Sequence, residues 1–213
     1  MNEVVIEVPL QRVSEGAFHL TGALAARTHL EEFRTSTREY LGQRELPIVP
    51  LLDFSGIESC TSSYIKSSLG WLQKSGEKSI GAEGNEDPGD GTVPVALSVY
   101  PVVANLTSEV REELEVIAQS NDCCWVEALE FGSGKIQAVR IIGNLERTIK
   151  STLQRVVQEG SVTATELHTK YDDGINITGW NNRLLELHRL RLLHRRKDGR
   201  QWVYMPLWEV SFG

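Results

Sequence analysis

The sequence predicts an α/β module built on a mixed sheet, followed by a smaller unit of three helices and a β-hairpin. Three observations carry this prediction. Residues 1–143 alternate β-type and helix-type stretches in the order strand, strand, helix, strand, helix, strand, helix, strand, strand. The charge balance then changes sign: residues 1–143 hold 11 Lys and Arg against 21 Asp and Glu, whereas residues 144–213 hold 11 against 8. Finally, "LLHRRKDGRQWVYMP" (192–206) sets two strand-forming runs around a Lys197-Asp198-Gly199-Arg200 turn. An acidic front and a basic tail imply two modules with different partners, 1–143 and 144–213.

Composition bounds the function. A chain of 213 residues with 40% hydrophobic side chains can build real cores. Its net charge of −7 argues against a generic polyanion binder, so any nucleic-acid contact must be local. Cys60, Cys123 and Cys124 have neither disulfide-framework nor zinc spacing and are expected to be reduced thiols. "MNEVVIEVPLQRV" lacks the basic region and long apolar run of a signal peptide, and no stretch reaches the ~18 apolar residues that span a membrane. A cytoplasmic protein without membrane contact is expected.

The elements follow in order. Val4–Val8 alternates as a strand, and a second short strand is expected around Ala17–Leu20. Thr21–Gly42 has helical spacing, with Leu24, Leu30, Phe33, Tyr40 and Leu41 on the buried side. "LPIVPLLDF" (46–54) suits a central strand covered on both faces. Thr61–Gln73 returns to helical spacing through Ile65, Leu69 and Leu72. Residues 75–92, rich in Gly and acid, read as a long exposed loop. Val93–Val99 is a strand, and Ser108–Gln119 a helix with Ser108 as cap and an Arg111/Glu115 pair across one turn. Cys124–Phe131 and Ile136–Ile142 form a hairpin through Gly132-Ser133-Gly134.

In the first module the informative stretch is "LLDFSGIESCTSSYIKSSLGWL" (51–72). A strand ends in Asp53, a tight turn follows, and a hydroxyl-rich helix begins, where backbone amides and exposed hydroxyls can receive an anion or carry a phosphate. The plainer reading is that Thr61, Ser62 and Ser63 cap a helix and Asp53 ends a strand. The stretch, with the preceding "FHLTGALAARTHLEEF", resembles STAS domains, the fold of anti-sigma-factor antagonists, over about residues 3–142. Asp53, Ser55 and Gly56 match the first motif of that family, and Ser62 falls where antagonists carry a phosphorylated serine. Thr61 replaces the family's aspartate and Tyr64 its glycine, a departure that fits a divergent STAS-like group. The resemblance implies phosphorylation or docking at Asp53, Ser62 and Ser63.

In the second module Asn144 is expected to cap a helix, Asn144–Gln158, with Leu145, Ile149, Leu153, Val156 and Val157 on its buried face. Gly160 ends it. Thr163 and Glu166 form a capping box for "TATELHTKY". Ile177–Leu190 is a third helix with Ile177, Trp180, Leu184, Leu187 and Leu190 inward. Thr178, Asn181, Asn182, Arg183, Glu186 and Arg189 are then expected to project outward. Leu192–Arg196 and Gln201–Met205 complete a hairpin. This is the winged helix-turn-helix plan.

"ITGWNNRLLELHRLRLLHRRKDGRQWVYMP" resembles the recognition helix and wing of bacterial winged-helix transcription regulators, with coverage of about residues 144–207. Arg191 stands where many of them end the helix with glycine, so a blunter helix end is expected. From Arg183 to Arg200 seven cations face two acids. Arg195, Arg196, Lys197 and Arg200 suit phosphates or a minor groove. Asn181, Asn182 and Arg183 suit bidentate base contacts. With Thr178 and Arg189 they make up the candidate contact set for double-stranded DNA. Equally, such units dock proteins, and a cationic face is often simply solvated. Trp180, Trp202 and Tyr204 are expected in the core, and His168, His188 and His194 at the surface.

No nucleophile elbow, Walker loop, dinucleotide fingerprint or zinc-protease motif occurs, so neither enzymatic activity nor a cofactor is expected. "DPGDG" lacks the ligand ladder of a calcium loop. The expected protein is a homodimeric transcription regulator whose STAS-like domain senses or docks a protein or small ligand. The alternative is an adaptor of a signalling or defence assembly with no operator.

Overall fold

The structure, a computed structural model, describes residues 3–31, 47–73, 98–171 and 173–212. The expected helix beyond Glu31, with Phe33, Tyr40 and Leu41, lies outside the described residues. So do the loop 75–92 and most of Val93–Val99. The chain forms two compact units, one of residues 1–144 with 211–213 and one of Leu145–Val210.

The first unit is mixed α/β around a mostly parallel sheet. Strand β1 (Val4–Pro9) pairs parallel with β3 (Pro47–Asp53). On its other side β3 meets β5 (Ser98–Val99) and then β6 (Val102–Ala104), both parallel. Strand β7 (Trp125–Gly132) runs parallel to β6, and β8 (Lys135–Ile142) returns antiparallel. Two small strands, β2 (His19–Leu20) and β4 (Ser59–Cys60), pair apart from this sheet. Each parallel step moves the same way across the sheet, and right-handed crossovers then put their helices on one face. Those helices are α2 (Ala23–His29), α3 (Ser62–Ser67) and α4 (Ser108–Asn121); a single turn, α1 (Leu10–Val13), follows β1. Leu30, Tyr64, Ile65, Leu114 and Ile117 pack there against Val8, Ile48, Leu52, Val103 and Trp125.

Residues of opposite parity, Val49, Leu51, Val102 and Val126, are buried too. Both faces of β3 are therefore covered, as its unbroken apolar run predicted. Between the β5 and β6 pairings the register brings Pro50 beside Pro101, and neither has an N–H for the ladder. One neighbouring strand is thus broken into two short ones. This is why Val102–Ala104 escapes a reading by period.

Several local expectations change. Leu24 is 78% exposed rather than buried; α2 begins after Gly22, and Leu24 lies on the side of it opposite buried Ala26. Residues 61–73 do not form one helix. Ser68 donates its Oγ hydrogen to the Tyr64 carbonyl, 2.8 Å away, and the backbone leaves helical geometry there before residues 69–73 resume. The cap of α4 is Thr107, whose Oγ1 accepts from the Val110 amide at 3.3 Å; Ser108 is the first helical residue. Ser133 and Gly134, at φ +52 and +71, make the two-residue turn between β7 and β8 that a twisted hairpin prefers.

Arg111 reaches Glu127 rather than Glu115. Glu127 sits in β7 on the helix-covered face, 3% exposed, and accepts from Arg111 at 2.8 Å and from Arg140 Nε at 2.6 Å. Burial pushes its carboxyl up, but the two guanidiniums outweigh that and hold it below the usual 4.5. Replacing Glu127 with Ala is expected to cost about 2 kcal/mol, readable in urea unfolding. The cost falls below the roughly 3–5 kcal/mol of a fully buried pair because the two guanidiniums keep partial solvent contact. The stabilisation is fully present above about pH 4.5 and disappears as pH falls through the lower folded value.

The second unit holds α5 (Arg147–Glu159), α6 (Ala164–Lys170), α7 (Ile177–Arg189) and the hairpin β9 (His194–Asp198) with β10 (Gln201–Met205). Helix α5 starts after Glu146, and Asn144 does not cap it; Leu145 precedes the helix and is half-buried. Gly160, at φ +76, ends it as expected. The capping box is present: the Thr163 amide donates to Glu166 Oε2 at 2.6 Å, and the Glu166 amide to Thr163 Oγ1 at 3.2 Å. Val162 and Tyr204 exchange backbone hydrogen bonds, fastening the hairpin to the segment before α6. The final strand, β11 (Glu209–Ser211), closes the chain.

Candidate functional site

Two surfaces gather the chemistry, one in each unit. In the first unit Asp53 ends β3, where its Oδ1 accepts from the Ser55 amide (2.9 Å), Ser55 Oγ (2.8 Å) and Asn105 Nδ2 (2.7 Å). Asn105, at φ +55 after β6, also donates to Ser55 Oγ at 2.9 Å. Asp53 is thus engaged in closing a turn. Thr61 Oγ1 lies 3.0 Å from Ser63 Oγ and accepts from the Gly22 and Tyr64 amides. Thr61 and Ser63 are exposed, whereas Ser62 is half-buried. The more accessible hydroxyl is therefore one position beyond the one the resemblance picks out. Tyr64 is fully buried, its Oη 2.9 Å from His29 Nδ1, so the aromatic is a packing residue. Phe18 and Leu24, 53% and 78% exposed, stand on either side of β2 in sequence, and β2 pairs with β4 just before Thr61.

All three cysteines are free thiols. Burial, helped by the charges of Glu113 and Glu109, pushes Cys60 up to about 12. A cavity of about 310 Å³ between α4 and β8 is lined by Arg111, Glu115, Arg140 and Asn144, among others. Among the described residues no group of three or more His, Cys, Asp or Glu comes together to hold a metal, and no helix is long and apolar enough to cross a membrane.

In the second unit α7 is amphipathic. Trp180, Leu184 and Leu187 are buried, and Thr178, Asn181, Asn182 and Arg189 are exposed on the opposite side. Three expectations fail there. Ile177 is 45% exposed, since it opens the helix ahead of the core contact. Arg183 does not project outward; it is half-buried, with its guanidinium 5.7 Å from the Trp180 ring centroid. His188 and His194 are not surface residues but 3% and 1% exposed. Burial lowers them to about 3 and about 4, with nearby arginines adding to the effect. His188 Nδ1–H donates to the Leu193 carbonyl at 2.9 Å, closing the corner between α7 and the hairpin.

That corner is sharp. The Leu192 amide donates to the Leu187 carbonyl and the Arg191 amide to the His188 carbonyl, the two bonds of a Schellman end. Arg191 takes the left-handed position usual for glycine, at φ +62, so the helix end is not blunted; its side chain is 2% exposed. Of the seven cations between Arg183 and Arg200, Arg191 is therefore withdrawn from the surface.

At the hairpin tip Arg196, Lys197 and Arg200 are exposed, and Gly199 supplies the positive φ (+58) of a two-residue turn. Tyr204 is buried, but Trp202 is 40% exposed and does not pin the hairpin to the helices. Instead Arg195 lies over its ring, 4.2 Å from the centroid. One feature was open to a closer reading of the sequence: Glu127 falls on the inward parity of "WVEALEF" with Trp125, whereas Trp202 shares the strand parity of buried Tyr204 and gives no such signal.

Fold and site together define a two-unit α/β protein carrying a polar helix face and a cationic hairpin. No protein-family model, curated protein or solved structure matches the chain.

Proposed function

We propose that the protein is a non-enzymatic, cytoplasmic regulator in which a STAS-like sensor or docking domain is coupled to a winged-helix domain that binds double-stranded DNA. One observation carries the reading. An exposed row of hydroxyl, amide and guanidinium groups on α7 (Thr178, Asn181, Asn182, Arg189) belongs to the same compact unit as a hairpin whose tip exposes Arg196, Lys197 and Arg200, with half-buried Arg195 further along β9. A protruding polar helix suits base edges, and a cationic hairpin suits phosphates.

The acidic first unit takes the other role. Its edge of Thr61, Ser63, Phe18 and Leu24 combines hydroxyls with exposed apolar side chains, which suits docking of a protein or small ligand. Modification at Ser62 or Ser63 would switch that docking. The protein acts as a homodimer, so that two helices read half-sites about 34–36 Å apart. Exposed Trp202 favours the second reading, an adaptor in a signalling or defence assembly with no operator.

Fluorescence anisotropy with a labelled mixed-sequence duplex separates the two. The regulator reading expects binding at ~50 mM salt and a loss of about tenfold or more for Arg195→Ala/Arg196→Ala. Absence of binding, or equal binding by the variant, favours the adaptor.

A further inference from the structure

We propose that the exposed face of α7 is an adenine reader, with Asn181 and Asn182 setting base specificity in the major groove; this rests on the DNA-binding reading above. The helix offers few groups for guanine. Guanine presents two acceptors, N7 and O6, and is matched by the paired donors of an arginine. Arg183 is half-buried against the Trp180 ring, and Arg189 has the Glu186 carboxylate 3.7 Å from its guanidinium. A guanine approaching Arg189 would bring its acceptors up to that negative charge.

The two amides are in the opposite condition. Asn181 and Asn182 are exposed, and neither side-chain carboxamide makes a hydrogen bond among the described residues. Asn176, by contrast, already spends its Oδ1 on the Gly179 amide at 2.7 Å as the helix cap. A free carboxamide pairs one donor with one acceptor, the complement of adenine N7 and N6–H₂. It mismatches guanine, where its carbonyl would face O6. Beside the amides stand Thr178, whose methyl suits the thymine methyl, and half-buried Leu185, which recurs on the same face. Phosphate contact stays with Arg195, Arg196, Lys197 and Arg200.

The test selects duplexes from a random-sequence library with the full chain at ~50 mM salt and sequences them. Enrichment of A·T pairs at two adjacent positions supports the assignment. The Asn182→Ala variant is expected to lose about 5- to 150-fold discrimination at one of those pairs. Asn182→Arg is expected to move the preference at that position to guanine. Guanine at both positions in the wild-type selection overturns the adenine assignment while leaving DNA binding intact. So does a consensus unchanged by Asn181→Ala and by Asn182→Ala. Failure to recover any duplex overturns DNA binding and the assignment together. Matched thermal melts of the variants show that a changed consensus is not misfolding.

Discussion

Acidification from pH 7 to pH 5 is expected to remove about 3–4 kcal/mol of stability from residues 145–210. The cause is the pair of imidazoles at the corner between α7 and the hairpin. His188 and His194 are buried and neutral in the folded chain, with values lowered from 6.5 to about 3 and about 4. In the unfolded chain both take up protons once the pH falls below 6.5, while the folded groups stay neutral until far lower. Throughout that window the unfolded state binds more protons, so stability falls with pH. At pH 5 each imidazole contributes about 2 kcal/mol to the loss. Arg191, Arg195 and Arg196 lie close enough to oppose a further positive charge. Peptide-resolved hydrogen exchange on the full chain reads the effect, with peptides from 145–210 losing protection first. His194→Leu should remove about half of the pH dependence. A flat profile in the wild type would show that water reaches both rings.

Trp180→Ala is expected to cost about 3–5 kcal/mol, enough to unfold a unit of this size at moderate temperature. Trp180 is fully buried beneath the exposed row of α7. Arg155 lies 4.3 Å from the Tyr171 ring centroid and 5.3 Å from that of Trp180, and it pairs with Asp173. Removal of the indole thus leaves a cavity and takes a stacking face from Arg155 and Arg183 together. Trp180→Phe should cost much less. The Trp180 Nε1–H finds no hydrogen-bond partner among the described residues, so phenylalanine removes an unsatisfied donor as well as some volume. Urea unfolding followed by hydrogen exchange in residues 145–210 checks both variants. Equal costs for Ala and Phe would mean that the indole nitrogen is bonded after all.

What the sequence made legible was periodicity and punctuation. The buried run "PIVPLLD", the capping box of Thr163 and Glu166, Gly160 at a helix end and Gly199 in the hairpin turn all act within a few residues of themselves. Their physics is local, and so is their signal. What escaped depends on partners far along the chain. Glu127 is buried only because Arg111, on a helix sixteen residues earlier, and Arg140, on the neighbouring strand, both reach it. Asn105 matters only because β6 ends beside β3 and brings its amide to Asp53. His188 and His194 look like surface residues beside so many cations, until the Schellman end turns the chain and buries the corner. Arg183 and Trp202 were misjudged for a related reason: a flat ring draws a guanidinium to it, and hydrophobic pattern alone does not register that attraction.

If the second unit holds a duplex through its hairpin and α7, its duplex affinity depends on salt through the hairpin arginines. The logarithm of the duplex association constant is measured against the logarithm of salt concentration, for the wild type and for Arg195→Ala/Arg196→Ala. A linear fall is predicted, with the variant's slope shallower by about 0.9 for each phosphate contact removed. Identical slopes for the two proteins, or no duplex binding even at ~50 mM salt, would contradict it.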